Sequence, residues 1–355
     1  MEYRRFYLPL PKAWLEQTTS LEKAVWHVSG MDTAKLQEAI AATPFSEEEH
    51  RLWRETCEIK PTAKGVEIHP STEFRWALSP KSRTMLYAWL SQFPENETLA
   101  MPFCYKANDL DEWLPDNDLS QELVQSIRHL LYTIGDSVCF ADLDLIEDKV
   151  KDQEERAALL GVLYRHPYCD VRLRLDQKID LKALSAYWGE WHRVERVKRK
   201  LKETLGNQPV AYINLASIMP PHPRSVLNTF PTLPKSPSEF QPDCYWTAFN
   251  FFNRNPDYRF ADNAFMEEAL VKYHDRVEGK PRYGDLIFLV DASGRPLHGA
   301  VYLADDLIYT KNGGHFTQPW VIMKLADMKA CYPQPTPVRE TYYRWNPQKT
   351  RPKSS

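Results

Sequence analysis

Residues 242–252, which read P-D-C-Y-W-T-A-F-N-F-F, decide how the last third of this chain is expected to fold. A proline followed by an aspartate is a helix start signal, and Trp246, Phe249 and Phe252 then recur at intervals of three residues. The stretch therefore predicts a helix whose first turn carries Cys244. The unpaired N–H groups and the positive dipole end of a helix N-terminus stabilise a thiolate, so we expect Cys244 to be an activated thiol.

Downstream of that helix, the sequence predicts strands and supplies a histidine. Residues 282–291, R-Y-G-D-L-I-F-L-V-D, predict a strand opened by a Gly-Asp pair. Residues 298–314, H-G-A-V-Y-L-A-D-D-L-I-Y-T-K-N-G-G, predict two short strands joined by an Ala-Asp-Asp turn. His298 begins the first of these two strands. Because a thiolate paired with a histidine is the activated nucleophile of cysteine hydrolases, we expect Cys244 to be the nucleophile and His298 its base.

The order of these pieces resembles the NlpC-like family of cell-wall cysteine peptidases, a branch of the papain-like superfamily. Domains of that family run from a D-C-S-G helix start to a P-G-D-L strand, and then to an H-V-G-I-Y-L-G strand. The matching pieces in this chain are Asp243-Cys244, Gly284-Asp285-Leu286 and the run from His298 to Leu303. The likeness covers roughly residues 205–332. It implies an α+β fold in which a papain-like antiparallel sheet packs against helices.

The resemblance also implies an activity. The expected function is a cysteine hydrolase that cleaves amide bonds in short peptides, in particular peptidoglycan peptides with D-glutamate and a diamino acid. The Cys244 thiolate would attack the carbonyl and form an acyl-enzyme, and His298 would protonate the leaving amine and then activate water. Two alternatives stay open on the sequence: a catalytically inactive papain-like domain that binds peptides, and an acyltransferase that uses the same Cys–His pair.

One departure from the family pattern concerns the substrate pocket. The family's Ser-Gly after the cysteine is replaced by Tyr245-Trp246 in this chain, which predicts a pocket of a different shape. In the family, the serine and the preceding aspartate help to hold the amino end of the peptide. Asp243 is retained and is expected to pair with a substrate amine. The resemblance therefore implies that Asp243, Tyr245 and Trp246 contact the substrate.

A second departure concerns the residue that orients the base by bonding the other imidazole nitrogen. In the family this residue is usually His, Asn or Gln and follows the base by about twelve residues. Thr310 stands twelve residues after His298, and Asn312 stands two further along. Both remain candidates for the third catalytic residue. His315 is a third option, in the glycine-rich turn that follows.

The rest of the chain predicts four segments. Residues 1–205 are expected to form a mostly helical N-terminal domain of unknown role. Residues 206–241 are expected to connect the domains, because prolines cluster in this stretch and cannot continue a helix or sit in a central strand. Residues 242–332 are expected to form the hydrolase core. Residues 333–355, rich in Pro, Lys, Arg and Thr, predict an extended or disordered tail.

Composition and spacing exclude several classes of function. A net charge of −3 gives no general reason to expect a nucleic-acid partner. No apolar run of about eighteen residues predicts a transmembrane helix. The N-terminus shows no signal peptide, which indicates a cytoplasmic protein if the chain is complete and an envelope or extracellular one if a leader was removed. Histidine and cysteine spacing predicts no metal site, the absence of phosphate-binding motifs predicts no cofactor, and the oligomeric state is left open.

Overall fold

The computed structural model describes residues 1–15, 23–114, 119–190, 193–236, 238–334 and 336–349. The architecture is α+β, as the sequence predicts, and the strand pairs of the described residues are antiparallel. The chain divides into two compact units. Unit 1 comprises Met1–Pro9, Arg165–Lys329 and the chain from Thr336 onward, and unit 2 comprises Leu10–Tyr164 and Ala330–Pro335.

In chain order, the strands are β1 Glu2–Leu8, β2 Trp26–Ser29, β3 Glu58–Thr62, β4 Gly65–His69, β5 Phe103–Lys106, β6 Tyr132–Ile134, β7 Ser137–Phe140, β8 His166–Asp176, β9 Val210–Asn214, β10 His274–Arg276, β11 Leu286–Val290, β12 Pro296–Ala304, β13 Leu307–Lys311, β14 Trp320–Lys324 and β15 Arg339–Trp345. The α-helices are α1 Lys12–Leu15, α2 Thr33–Ala41, α3 Glu47–Thr56, α4 Thr72–Ala77, α5 Pro80–Leu90, α6 Glu97–Ala100, α7 Leu110–Trp113, α8 Gln121–Leu130, α9 Leu143–Glu147, α10 Gln153–Leu163, α11 Leu181–Trp188, α12 Val194–Leu205, α13 Pro221–Val226, α14 Cys244–Phe249, α15 Asn263–Tyr273 and α16 Leu325–Ala330. In the described ranges, no helix has the length and apolar character needed to cross a membrane.

Unit 2 is built around two three-stranded sheets, with strand orders β2-β4-β3 and β5-β7-β6. A buried ionic network lies within it. Asp142 Oδ1 accepts hydrogen bonds from Arg75 Nη2 at 2.7 Å and from Tyr87 Oη at 2.6 Å. Asp144 Oδ2 accepts a hydrogen bond from Arg75 Nη1 at 2.6 Å, and Arg83 Nε lies 3.2 Å from Asp142 Oδ2. Because buried charges are tolerated when paired and hydrogen-bonded, the network fixes α4, α5 and the start of α9 relative to one another.

Unit 1 contains a three-stranded sheet, in the order β1-β8-β9, and a six-stranded sheet, in the order β10-β15-β11-β12-β13-β14. Every residue of β11 and of β13 is buried, so the centre of the larger sheet is covered on both faces. Helix α14 packs against β12 and β13. Gly299 of β12 lets α14 approach the sheet closely, because a side-chain Cβ at residue 299 would lie only 2.8 Å from Tyr245 Cδ1. The candidate cysteine thus starts a helix that lies on the central strands.

The predicted tail over residues 333–355 differs from the structure. Instead of an extended or disordered arm, it contributes β15, which lies between β10 and β11 in the six-stranded sheet; residues 335 and 350–355 lie outside the described residues. The strand reads R-E-T-Y-Y-R-W, and threonine and aromatic residues favour strands more strongly than the composition of the tail suggests. Its Arg344 donates hydrogen bonds to the buried Asp285 at 2.8 and 2.6 Å.

The predicted boundary at residue 205 and the connecting segment over residues 206–241 also differ from the compact units. Unit 1 begins with β1 and resumes at Arg165, so β8, α11 and α12 belong to the same unit as the predicted hydrolase core. Within the connecting segment, β9 pairs with β8 as an edge strand. Helix α13 begins at Pro221, where proline is compatible with a first turn. Proline is therefore excluded from helix interiors and central strands, but a proline-rich segment can still contain an edge strand and a short helix.

Candidate functional site

Cys244 is the first residue of α14, and Asp243 is the N-cap. Asp243 Oδ1 accepts a hydrogen bond from Trp246 N at 2.7 Å, which satisfies one of the N–H groups left unpaired at a helix start. Cys244 is only 5% exposed. The backbone N–H groups of Gly299 and Tyr245 face its thiol and favour the thiolate. The sulfur is therefore enclosed between the first turn of α14 and β12.

The electrostatic state of Cys244 is opposite to the one expected from the sequence. Burial raises the pKa of its thiol to about 12, and the neighbouring Asp243 carboxylate adds to the rise. The backbone N–H groups act in the other direction and do not reverse it. Helix α14 has only six residues, so its dipole is small beside the cost of burying a thiolate. Cys244 is a protonated thiol at neutral pH in this structure.

His298 and Thr310 lie on neighbouring strands and contact each other. His298 is on β12, Thr310 is on β13, and both side chains are fully buried. The imidazole Nε2 of His298 lies 2.7 Å from Thr310 Oγ1. Thr310 Oγ1 in turn lies 3.5 Å from the carbonyl oxygen of Gly299, to which it can donate. Of the three candidates for an orienting residue, Thr310 is therefore the one in hydrogen-bond contact with the imidazole.

This chain of contacts sets the tautomer of His298. A hydroxyl that donates to the Gly299 carbonyl has its lone pairs available, so we assign Thr310 Oγ1 as the acceptor of an Nε2–H donor. The proton on Nε2 leaves Nδ1 as the basic nitrogen of a neutral ring. Burial and, to a smaller extent, the positive charge of Lys311 together lower the pKa of His298 to about 3. The imidazole is therefore neutral at physiological pH.

Lys311 is a residue of the site that the sequence analysis did not single out. It ends β13, and its side chain is fully buried. Its Nζ donates hydrogen bonds to the carbonyl oxygens of Gly313 at 2.6 Å and His315 at 3.0 Å. The signal in the sequence is its position, because Lys311 directly follows L-I-Y-T in a predicted strand and directly precedes the candidate Asn312-Gly313 turn.

The turn that holds the Lys311 amine packs against the start of α14. Gly314 lies between the two carbonyls that accept from Lys311, and a Cβ at Gly314 would be 3.8 Å from Asp243 Cβ. Burial lowers the pKa of Lys311 to about 7, while Cys244 and Asp243, in their ionised forms, oppose that shift. The amine is therefore close enough to both groups to influence their ionisation.

The predicted substrate-contacting residues have structural partners in this structure. Tyr245 stacks on Phe288 of β11, with ring centroids 5.8 Å apart. Trp246 is buried, and its ring packs edge-on against Phe240 at 5.8 Å between centroids. Burial raises the pKa of Asp243, whose carboxylate is partly used as the helix cap. These contacts position the first turn of α14 and leave Tyr245 and Asp243 partly exposed.

The other two candidates for the orienting residue lie beyond β13. Asn312 Nδ2 is 3.5 Å from the sulfur of Met323 on β14. His315 Nδ1 lies 2.7 Å from Thr317 Oγ1, and Thr317 N donates back to the same ring nitrogen at 3.3 Å. The His315 ring is therefore engaged within its own loop.

Unit 1 also contains a pocket that lies apart from the site. It has a volume of about 610 Å³ and is lined by residues 275–282 and 344–347, and none of the predicted site residues lines it. Among the residues that the structure describes, no group of three or more His, Cys, Asp or Glu side chains is arranged to hold a metal ion. Comparison with protein-family models, curated proteins and solved structures found no match to this chain. The geometry of the site is therefore the basis for assigning a function.

Proposed function

We propose that this chain is a papain-like cysteine hydrolase that cleaves amide bonds in short peptides, with Cys244 as nucleophile and His298 as base. The observation that carries the proposal is the buried contact of 2.7 Å between His298 Nε2 and Thr310 Oγ1. This contact leaves Nδ1 of His298 as the basic nitrogen of the ring. His298 lies on β12, the strand against which the helix of Cys244 packs. His298 directly precedes Gly299, whose backbone N–H faces the Cys244 thiol, and a histidine of fixed tautomer near a thiol at a helix start is what acyl transfer to sulfur requires.

The raised pKa of Cys244 and the lowered pKa of His298 mean that the closed structure holds no preformed thiolate–imidazolium pair, so catalysis requires the proton to move after the site has opened to solvent and substrate. Cys244 is a thiol and His298 is a neutral imidazole across the physiological pH range. The thiol proton therefore passes to His298 Nδ1 as the sulfur attacks the substrate carbonyl. In this mechanism the backbone N–H of Cys244, at the first turn of α14, stabilises the oxyanion. His298 then protonates the leaving amine and activates water, which releases the acyl group.

Substrate access requires a movement, because Cys244 and His298 are buried. We assign that movement to the turn over residues 312–315, which Lys311 holds through two hydrogen bonds and which packs against Asp243. A substrate amine that pairs with Asp243 competes with the positive charge of Lys311 for the same carboxylate. Displacement of the turn by such an amine would expose the start of α14. This is consistent with a substrate that carries a free amino group, as peptidoglycan peptides do.

The burial of the site also favours a second candidate function, a papain-like domain that binds peptides without cleaving them. In that case the protonated Cys244 and the neutral His298 are packing groups, and Thr310 satisfies the buried imidazole. Such a domain retains its ligand when Cys244 is replaced by alanine, and it yields no cleaved product. The hydrolase and the binding domain are therefore distinguished by whether a cleaved product forms, and not by how tightly the peptide binds.

The experiment is a panel of short synthetic peptides that contain D-glutamate and a diamino acid, with product release followed by mass spectrometry. We expect wild type to release an amine product. Cys244→Ala should abolish release, and His298→Gln should slow it by roughly 10³-fold or more. Cys169→Ala is the matched control, because Cys169 is another buried free cysteine of unit 1 and lies on β8.

Unchanged turnover in Cys244→Ala would rule out the proposed nucleophile. Binding of the same peptides without turnover in wild type, unchanged by Cys244→Ala, would establish the binding domain instead. Calorimetric titration of wild type and Cys244→Ala with each peptide separates these outcomes. A loss of activity in Cys169→Ala of the same size would indicate that the loss in Cys244→Ala reflects packing and not chemistry.

A further inference from the structure

Unit 2 contains two cysteines that face each other across neighbouring strands. Cys104 lies on β5 and Cys139 on β7, and the antiparallel register places them directly opposite one another. Their Sγ atoms are 2.7 Å apart. Both are free thiols, and both are buried, with 7% and 0% of their surface exposed. This pair is independent of the Cys244 site, which lies in unit 1.

The backbone geometry of such a pair suits a covalent bond. Directly opposed residues of antiparallel strands have Cα atoms about 4.5–5.5 Å apart. Disulfides join residues whose Cα atoms are about 4.4–6.8 Å apart. The pair therefore needs only a small adjustment of its side chains to bring the sulfur atoms to bonding distance, and no movement of the strands.

We propose that Cys104 and Cys139 form a reversible disulfide when the protein meets a small-molecule disulfide as oxidant. The sequence alone gives these cysteines no role, because 35 residues separate them and they form no C-x-x-C spacing. The register of β5 and β7 brings them together. The disulfide would tie the central strand of the β5-β7-β6 sheet to one of its edge strands.

The reaction proceeds in two exchange steps. One cysteine, as thiolate, attacks the small-molecule disulfide, forms a mixed disulfide and releases one small thiol. The second cysteine attacks the protein sulfur of that mixed disulfide, forms the Cys104–Cys139 bond and releases the other small thiol. The two cysteine protons end on the two released thiols, and the two electrons lost by the protein reduce the small-molecule disulfide. Burial raises the pKa of Cys104 well above its usual value, so we expect the exchange to be slow.

Cys331 is the competing partner. It belongs to unit 2, it is only partly buried, and it is close enough to Cys104 to contribute to the raised pKa of that thiol. The hydroxyl of Ser137, two residues before Cys139, donates to the carbonyl oxygen of Ala330 at 3.1 Å. This contact holds the chain next to Cys331 against β7. A test of the pair must therefore distinguish a Cys104–Cys139 bond from a bond that includes Cys331.

The test uses the full-length, fully reduced protein incubated with oxidised glutathione, followed by alkylation with N-ethylmaleimide and a non-reducing tryptic digest. We expect peptides 84–106 and 129–149 to appear as one linked species that dithiothreitol separates. The midpoint of thermal unfolding should rise by roughly 5–10 °C on oxidation, because a cross-link restricts the unfolded chain. Cys331→Ser is the control variant and should retain both results.

Three outcomes would overturn the proposal. The first is alkylation of both Cys104 and Cys139 after prolonged oxidation. The second is a linked species that joins either cysteine to the peptide of Cys331. The third is an oxidation-dependent rise in the unfolding midpoint that persists in Cys139→Ser. Since peptide mapping of wild type decides the first two, the test does not depend on whether the variant folds.

Discussion

The imidazole of His298 and the hydroxyl of Thr310 are 2.7 Å apart on neighbouring strands of the six-stranded sheet, and both are fully buried. Thr310→Val preserves the shape of the side chain and removes the hydroxyl. We expect it to lower the turnover rate by about 10²-fold, because Nδ1 is no longer fixed as the basic nitrogen. It should also cost about 1–3 kcal/mol in the free energy of unfolding, because a buried Nε2–H loses its acceptor.

Thr310→Ser is the matched variant, because it retains the hydroxyl and loses only a methyl group. It should recover most of the turnover rate. Steady-state kinetics and chemical denaturation of both variants provide the measurement. Wild-type turnover in Thr310→Val would show that Thr310 does not orient the base.

The buried amine of Lys311 makes the stability of the protein depend on pH. Burial lowers its pKa from 10.5 to about 7. Below about pH 7 the amine is charged in both the folded and the unfolded chain, so the folded state carries the full cost of burying the charge. Above pH 10.5 the amine is neutral in both states, and that cost is gone. Relative to Lys311→Met, wild type should therefore gain roughly 2–4 kcal/mol in the free energy of unfolding between pH 6 and pH 10.

Urea denaturation of wild type and Lys311→Met at the two pH values measures this difference. A constant difference across that range would mean that the amine does not titrate in the folded protein. Lys311→Arg provides a further comparison, because its charge persists across the range and its stability relative to Lys311→Met should change little.

Glu190 in unit 1 predicts a second pH effect, with the opposite dependence. Burial raises the pKa of its carboxyl to about 7, and the charge of Asp285 adds to the rise. Below pH 4.5, the ordinary pKa of a glutamate, the carboxyl is protonated in the folded and the unfolded chain, and its burial costs no electrostatic free energy. Above about pH 7 it is ionised in both, and burying the charge destabilises the folded state. Glu190→Gln should therefore stabilise the protein at pH 8.5 and have no effect at pH 4.

We expect a gain of about 1–2 kcal/mol at pH 8.5, smaller than the pKa shift alone implies, because the carboxyl is partly exposed and screened by solvent. Thermal or urea unfolding of wild type and Glu190→Gln at both pH values provides the measurement. Equal effects at the two pH values would contradict the assignment of the raised pKa to Glu190.

The ionic network of unit 2 predicts a large loss of stability. Asp142 accepts hydrogen bonds from Arg75 and Tyr87 and lies 3.2 Å from Arg83. Asp142→Ala should reduce the free energy of unfolding by about 3–5 kcal/mol, because it leaves buried arginines without their acceptor. Asp148→Ala, at an exposed position six residues away, should change it by less than about 0.5 kcal/mol. Similar effects of the two substitutions would exclude a structural role for the network.

Local features of the site were predictable from the sequence because they depend on neighbouring residues. The helix start at Cys244, the strand after Gly284-Asp285 and the turn between β12 and β13 are present in the structure, and Asp305 in that turn has a φ of 53°. Each follows from a capping residue, a glycine or an aspartate that tolerates the left-handed region. Such preferences act over a few residues and are visible in a single sequence.

Features that depend on distant parts of the chain were not predictable in the same way. Strand β1 pairs with β8, and β15 enters the larger sheet between β10 and β11, because these strands find partners that lie far away in sequence. The raised pKa of Cys244 could not be predicted from the sequence for a related reason. A helix start can be recognised from nearby residues, whereas the burial that raises the pKa comes from strands 50 or more residues downstream.

The most direct test of the central claim is detection of an acyl-enzyme on Cys244. Wild type is mixed with a cleavable peptide of the panel, quenched in acid within seconds, and analysed by peptide mapping. We predict a mass increase equal to the acyl fragment on tryptic peptide 236–254, which contains Cys244, and none on the peptide that contains Cys169. Turnover of the peptide without this adduct, combined with full activity of Cys244→Ala, would contradict the account.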